Sequence, residues 1–165
     1  MSKYYNFKNL SVIFVDDNRN MHLLMRNILL AMNIVNSRGC YDADSCIAQM
    51  LDEPPDILIS DLSLNPEHGL ELIKRIRQGE QGVDRYTPIL VISGQTKMQN
   101  VIEARDAGAT EFLAKPVSVG SLYDRLVWMI ENPRVFIKAS EFVGPDRRRA
   151  MRGYEGMDRR KSDGK

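Results

Sequence analysis

Two hydrophobic periods alternate along the 165-residue chain. Ser11–Val15 is a short apolar run rich in β-branched residues, the pattern of a strand buried on both faces. Met21, Leu24, Met25, Ile28, Leu29 and Met32 then recur at steps of three and four, which predicts a helix with one apolar stripe. The alternation repeats. Residues 56–60, Ile89–Ser93 and Glu111–Ala114 read as further strands. Helical spacing follows each: Leu70, Ile73 and Ile76; Met98, Val101, Ile102 and 104–107; and 118–131, with Leu122, Leu126, Val127 and Ile130 inward. A weaker strand near residues 34–38 and a helix over 43–51, with Asp42 as its N-cap, complete the series. Five strands each followed by a helix predict an α/β fold, a doubly wound parallel sheet with helices on both faces.

Composition bounds this picture. Hydrophobic residues make up 43% of the chain and charged residues 27%, ordinary values for a protein that buries a real core. No uninterrupted apolar run exceeds five residues, as in Ile28 to Met32, whereas a membrane-spanning helix needs about 20. The first eight residues lack the apolar stretch of a secretory signal. Cys40 and Cys46 are too few for a disulfide framework or a zinc site, so reduced thiols and a cytoplasmic location are expected. The net charge of +1 conceals an asymmetry: residues 1–132 carry 13 basic and 17 acidic side chains, and residues 133–165 carry 10 and 5. With Pro133 ending the last helix, the expected organisation is an N-terminal extension over 1–9, a folded domain over 10–132, and a basic tail of low fold propensity over 133–165.

In open parallel sheets, ligands sit outside the carboxyl ends of the strands. Here those ends offer Asp16 and Asp17 on the first strand, Asp61 on the third, Ser93 on the fourth, and Lys115 followed by Pro116 on the fifth. Three carboxylates held close repel one another, and a hard divalent ion such as Mg²⁺ relieves that repulsion while leaving room for substrate oxygens. Lys115 offers a compact positive charge for a phosphoryl oxygen, Ser93 a hydrogen bond to another, and Asp61, central in the set, a carboxylate nucleophile. His22 and His68 have no spaced partner for a metal and are expected on a helix face and in a loop. No glycine-rich dinucleotide or phosphate-loop pattern is present, and Ser63 stands where a haloacid-dehalogenase-type phosphatase needs its second aspartate.

Taken together, Val15-Asp16-Asp17-Asn18, Ile59-Ser60-Asp61-Leu62 with Gly69 eight residues after the aspartate, Ile92-Ser93-Gly94, and the run from Ala107 to Pro116 resemble the receiver domain of bacterial two-component response regulators. The resemblance covers residues from about 10 to 131 and implies the flavodoxin-like strand order 2-1-3-4-5. It implies that Asp61 is the phosphoacceptor, with Asp16, Asp17, Asp61 and the backbone carbonyl of Ser63 around Mg²⁺. Ser93 and Lys115 would bind the phosphoryl group, Phe112 would be the switch aromatic, and the Lys115–Pro116 bond would be cis. The implied partner is a histidine kinase or histidine phosphotransfer protein, and the implied role is a phosphoacceptor that assists its own phosphorylation and dephosphorylation. Asn65 departs from the family's usual proline and Pro66 follows it, so the loop after the third strand is expected to run differently; Gly94 replaces the more usual alanine after Ser93, which keeps access open and loosens the backbone.

The tail repeats itself: Gly144 to Arg149 is echoed twelve residues later by Gly156 to Lys161, each a Gly-x-Asp-Arg-Arg-basic unit. Val135, Phe136, Ile137, Phe142 and Val143 are its apolar exception and are expected to dock on the folded domain or on a second copy. With no further domain sequence in this segment, output is expected through contact with a downstream protein. Its apolar residues allow a homodimer, and its charge allows an acidic partner, including the folded domain itself, or else nucleic acid or an anionic membrane surface. The alternative function is a phosphorylation-independent scaffold or nucleic-acid-binding protein acting through the tail.

Overall fold

A computed structural model describes residues 5–64, 68–139 and 142–146. The elements run β1 (Ser11–Val15), α1 (Arg19–Ala31), β2 (Asn36–Cys40), α2 (Ala43–Asp52), β3 (Ile57–Asp61), α3 (Gly69–Arg77), β4 (Ile89–Ser93), α4 (Met98–Ala107), β5 (Glu111–Ala114) and α5 (Val119–Glu131). Two short strands follow, β6 (Phe136–Ala139) and β7 (Phe142–Pro145). The five main strands form a parallel sheet in the order β2-β1-β3-β4-β5. This is the flavodoxin-like, doubly wound arrangement. Every residue of β1, β3 and β4 is buried, because both faces of the sheet are covered.

Alternation along the strands divides the core in two. Ile13, Val15, Leu58, Ile89 and Val91 pack beneath Ile47, Leu72, Ile73, Ile76 and Ala104 of α2, α3 and α4. On the opposite face Val12, Phe14, Ile59, Leu90 and Leu113 meet Met25, Leu29, Leu122, Leu126 and Met129 of α1 and α5. Local signals set the helix ends: Asn18 caps α1 through Asn20 N, Asp42 caps α2 through Ser45 N, and Ser118 forms a capping box with Ser121 on α5. Among the described residues, no helix is long and apolar enough to cross a membrane.

Three details differ from the sequence expectation. The second strand starts at Asn36, not near residue 34. Asn33 adopts φ +62° just past α1, and Ile34, completely buried, turns its N–H back to the Leu29 carbonyl at 2.9 Å. Ile34 therefore belongs to the helix end, and pairing with β1 begins only at Asn36 opposite Ser11. On α5, Met129 is buried in the core and Ile130 lies 39% exposed, so the inward stripe passes through Met129. Finally, part of the segment expected as a tail is an antiparallel hairpin, β6 with β7, with Phe136 opposite Pro145 and Ile137 opposite Gly144.

Candidate functional site

Each strand end delivers its polar residue to one crevice. Asp61 closes β3 and is 6% exposed; Asp16, one residue past β1, is 7% exposed, and Asp17 faces solvent. One carboxylate oxygen from each of Asp16, Asp17 and Asp61 lies within 4.8 Å of the other two. Lys115 reaches in from the end of β5, its Nζ 3.4 Å from Asp16 Oδ2 and 3.5 Å from Asp61 Oδ1. The Lys115–Pro116 peptide is cis, and the Lys115 N–H donates to the Ser93 carbonyl at 2.9 Å.

The surroundings hold each group in place. Asp16 Oδ1 accepts from the Asn18 N–H at 2.8 Å, and the Asp16 N–H donates to the Cys40 carbonyl at 3.1 Å. Gly69, the first residue of α3, donates to the Leu62 carbonyl at 2.9 Å, and a Cβ there would collide with the Asp61 carbonyl. The glycine is thus needed for the helix to approach the strand end so closely. Ser93 is fully buried, and its Oγ accepts from the Gln95 N–H at 3.0 Å, leaving the hydroxyl proton to point elsewhere. Gly94 leaves open space where a side chain would stand.

Burial pushes the Asp61 carboxyl above its ordinary value; the Lys115 ammonium pulls it down, the Asp16 carboxylate pushes it up, and a hydrogen bond from the Ser63 backbone lowers it. Two of the three clustered carboxylates are buried and one ammonium faces them, so the donor set suits a small, hard, oxygen-preferring cation. Chemically the crevice can stabilise negative charge beside a carboxylate nucleophile.

All five strand-end residues expected from the sequence, Asp16, Asp17, Asp61, Ser93 and Lys115, therefore surround this end of the sheet. Ser63 sits beside Asp61 through its backbone. Phe112 is half-buried, packed against the core beneath α2–α4, and opens onto a groove of about 240 Å³ whose lining includes Val101, Ala104, Glu111 and Arg134. Asn65 and Pro66 lie outside the described residues. His68 caps α3, its Nδ1 accepting from the Leu70 N–H at 3.2 Å. His22 lies on α1 as expected, on its buried face: it is 4% exposed and its Nε2 lies 2.7 Å from the Asp16 carbonyl. The signal was present in the sequence, since His22 continues the Met25–Leu29 stripe at helical spacing.

Comparison with known proteins gives a consistent result. The family profile of the response regulator receiver domain matches residues 12–127. Chemotaxis protein CheY-3 of Vibrio cholerae is 26% identical over 119 residues, 72% of this chain and 90% of its own. Transcriptional regulatory protein KdpE of Staphylococcus aureus is 32% identical over 115 residues, 70% of this chain and 47% of its own. The solved structure of the chemotaxis response regulator CheY4 of Vibrio cholerae superposes with a TM-score of 0.65 at 25% identity, covering 72% of this chain and 96% of that one.

Proposed function

The chain belongs to the response regulator receiver domain family, a family of signalling domains, and from that premise we propose that it is a phosphorylation switch with Asp61 as phosphoacceptor. The donor is a phosphohistidine on a histidine kinase or histidine phosphotransfer protein. An Asp61 carboxylate oxygen bonds to phosphorus as the donor's N–P bond breaks. The product is an aspartyl phosphate, and the departing imidazole nitrogen takes up a proton. Asp17, Asp61 and the Ser63 carbonyl would hold Mg²⁺, with Asp16 beside them. When bound, the ion supplies positive charge against the phosphoryl oxygens and keeps Asp61 ionised. Lys115, already within 3.5 Å of Asp61, pairs with a phosphoryl oxygen, and the Ser93 hydroxyl donates to another. As Ser93 turns toward the phosphoryl group, Phe112 moves inward from its half-buried position and alters the groove beside α4, the surface read by a downstream protein.

The observation that carries this reading is the convergence of three carboxylates and one lysine at the carboxyl ends of β1, β3 and β5. Incubation with acetyl phosphate, with and without Mg²⁺, followed by intact mass measurement, tests it. A phosphate adduct is expected for the wild-type chain with Mg²⁺ and not for Asp61→Asn. An equal adduct on Asp61→Asn overturns the assignment.

A further inference from the structure

We propose that His22 is a positioning residue for the acidic cluster: its imidazole fixes the peptide between Asp16 and Asp17 and thereby sets how tightly the cluster binds its divalent cation. This rests on the cation site of the preceding section and assigns His22 a part in it.

The ring Nε2 lies 2.7 Å from the Asp16 carbonyl oxygen, and the contact is buried. A backbone carbonyl can only accept, so Nε2 carries the proton and donates it. The ring cannot swing away from that bond. Tyr41 stacks on one face, with centroids 4.0 Å apart and planes 8° apart, and Phe14 meets it edge-on at 4.9 Å. Gly39 of β2 passes so close that a Cβ there would come within 2.6 Å of Nδ1 and 2.8 Å of Cε1. Four parts of the chain therefore clamp one imidazole: β1, β2, the residue following β2, and α1, which bears it.

The carbonyl so held belongs to the peptide that joins the two acids. Because a peptide is planar, fixing the Asp16 carbonyl also fixes the direction of the Asp17 N–Cα bond. Asp16 is further restrained by its own N–H on Cys40 and by Asn18 on its carboxylate. Asp17 is exposed, so the rotation of this peptide controls where its carboxylate is offered. His22 touches neither the cation nor the phosphoryl group. It acts through the backbone, as residues behind a metal ligand do when they hold it in its binding geometry.

Two substitutions separate the donor from the bulk of the ring. Phenylalanine keeps an aromatic ring to stack on Tyr41 but cannot donate; glutamine offers an amide N–H at nearly the reach of Nε2. The measurement is Mg²⁺ binding to the whole chain by titration calorimetry, alongside the Mg²⁺ concentration for half-maximal acetyl phosphate uptake. His22→Phe is expected to weaken binding roughly tenfold. It should raise the half-maximal Mg²⁺ concentration in step, with a much smaller effect on uptake at saturating Mg²⁺. His22→Gln is expected to recover most of the affinity. Gly39→Ala, which displaces the ring while leaving His22 in the sequence, is expected to reproduce the His22→Phe loss and serves where that variant does not fold. Wild-type affinity in both His22→Phe and Gly39→Ala, or an equal loss in His22→Gln and His22→Phe, overturns the proposal. Absence of Mg²⁺ binding by the wild-type chain overturns the cation site as well, whereas binding that ignores His22 overturns this inference alone.

Discussion

An aspartate at the end of a central strand must be ionised to attack phosphorus, yet its surroundings disfavour the charge. Desolvation and the Asp16 carboxylate raise the Asp61 carboxyl above its usual 3.8, against the pull of Lys115 and the Ser63 backbone. The sign for stability follows from linkage. A carboxyl raised on folding contributes most below pH 3.8, where it is protonated in both states, and that contribution is lost as pH rises through the raised folded value. Asp61→Asn never meets the loss. In a chelator-containing buffer at pH 7 the variant should therefore be more stable than wild type, by on the order of 1 kcal/mol in urea denaturation. The advantage should shrink as pH falls toward about 4 and should also shrink when Mg²⁺ is added. A variant no more stable than wild type at pH 7 would mean that Lys115 already compensates Asp61 fully. The acids were legible in the sequence because polar residues stood where apolar strand runs stop, at ends that topology brings together. The burial of His22 was legible too, since it continues the apolar stripe of α1, but its contact with the acidic pair was not. Its partner is a backbone carbonyl, and no side-chain pattern marks a carbonyl as something to be held.

At the scale of elements, β1, β3, β4 and β5 could be read directly, since each is a compact apolar run. The second strand, Asn-Ser-Arg-Gly-Cys, carries little hydrophobic signal, and its start was set by the left-handed Asn33. The β6–β7 hairpin was visible as an apolar patch in a basic segment but not as strands, because its docking partners lie far away in sequence. Glu111, 6% exposed at the start of β5, accepts from Arg125 at 3.2 Å, Trp128 Nε1 at 3.2 Å and Arg134 at 3.0 Å. Arg134 also reaches the Asp146 carbonyl at 3.4 Å, and the Asp146 N–H bonds Val135 at 2.7 Å, closing the base of the hairpin. Gly144 lies against Gly108, where a Cβ would come within 3.2 Å of the Gly108 Cα. Arg134→Ala should cost about 1–2 kcal/mol, since Glu111 keeps two of its three donors. Its clearer signature is local: faster hydrogen exchange at Asp146 and its neighbours, and a change in emission from Trp128, the chain's single tryptophan. Unchanged exchange there would show that Phe136 and Gly144 hold the hairpin without the arginine.

Over the whole molecule the two ends of the sheet carry different tasks. The acidic crevice lies at the carboxyl ends of the strands, and the hairpin docks near their amino ends around Arg77. That guanidinium is 2% exposed and donates to the carbonyls of Gly108 at 2.9 Å, Arg85 at 2.6 Å and Thr87 at 2.7 Å, with the Phe136 ring 4.9 Å away. Burial pushes Arg77 down to about 9, so it remains a cation at neutral pH, and its Nη2 has no hydrogen-bond partner among the described residues. Phe136 thus supplies attraction through its ring while helping to exclude the water that would otherwise solvate the charge. Ending the chain after Asn132 removes Phe136 and Arg134 together. The loss is offset in part because Arg77 regains water, and a net destabilisation of about 1–3 kcal/mol is expected in thermal or urea unfolding. Phosphate uptake should behave differently. The described partners of Asp16, Asp61, Ser93 and Lys115 all precede residue 120, so the shortened chain should take up phosphate from acetyl phosphate with the same Mg²⁺ requirement and a rate within about twofold of the full chain. Intact mass over a time course reads this directly. If the shortened chain folds but no longer accepts phosphate, the two ends of the sheet are coupled, and residues beyond 132 act on the crevice rather than merely hanging from its far side.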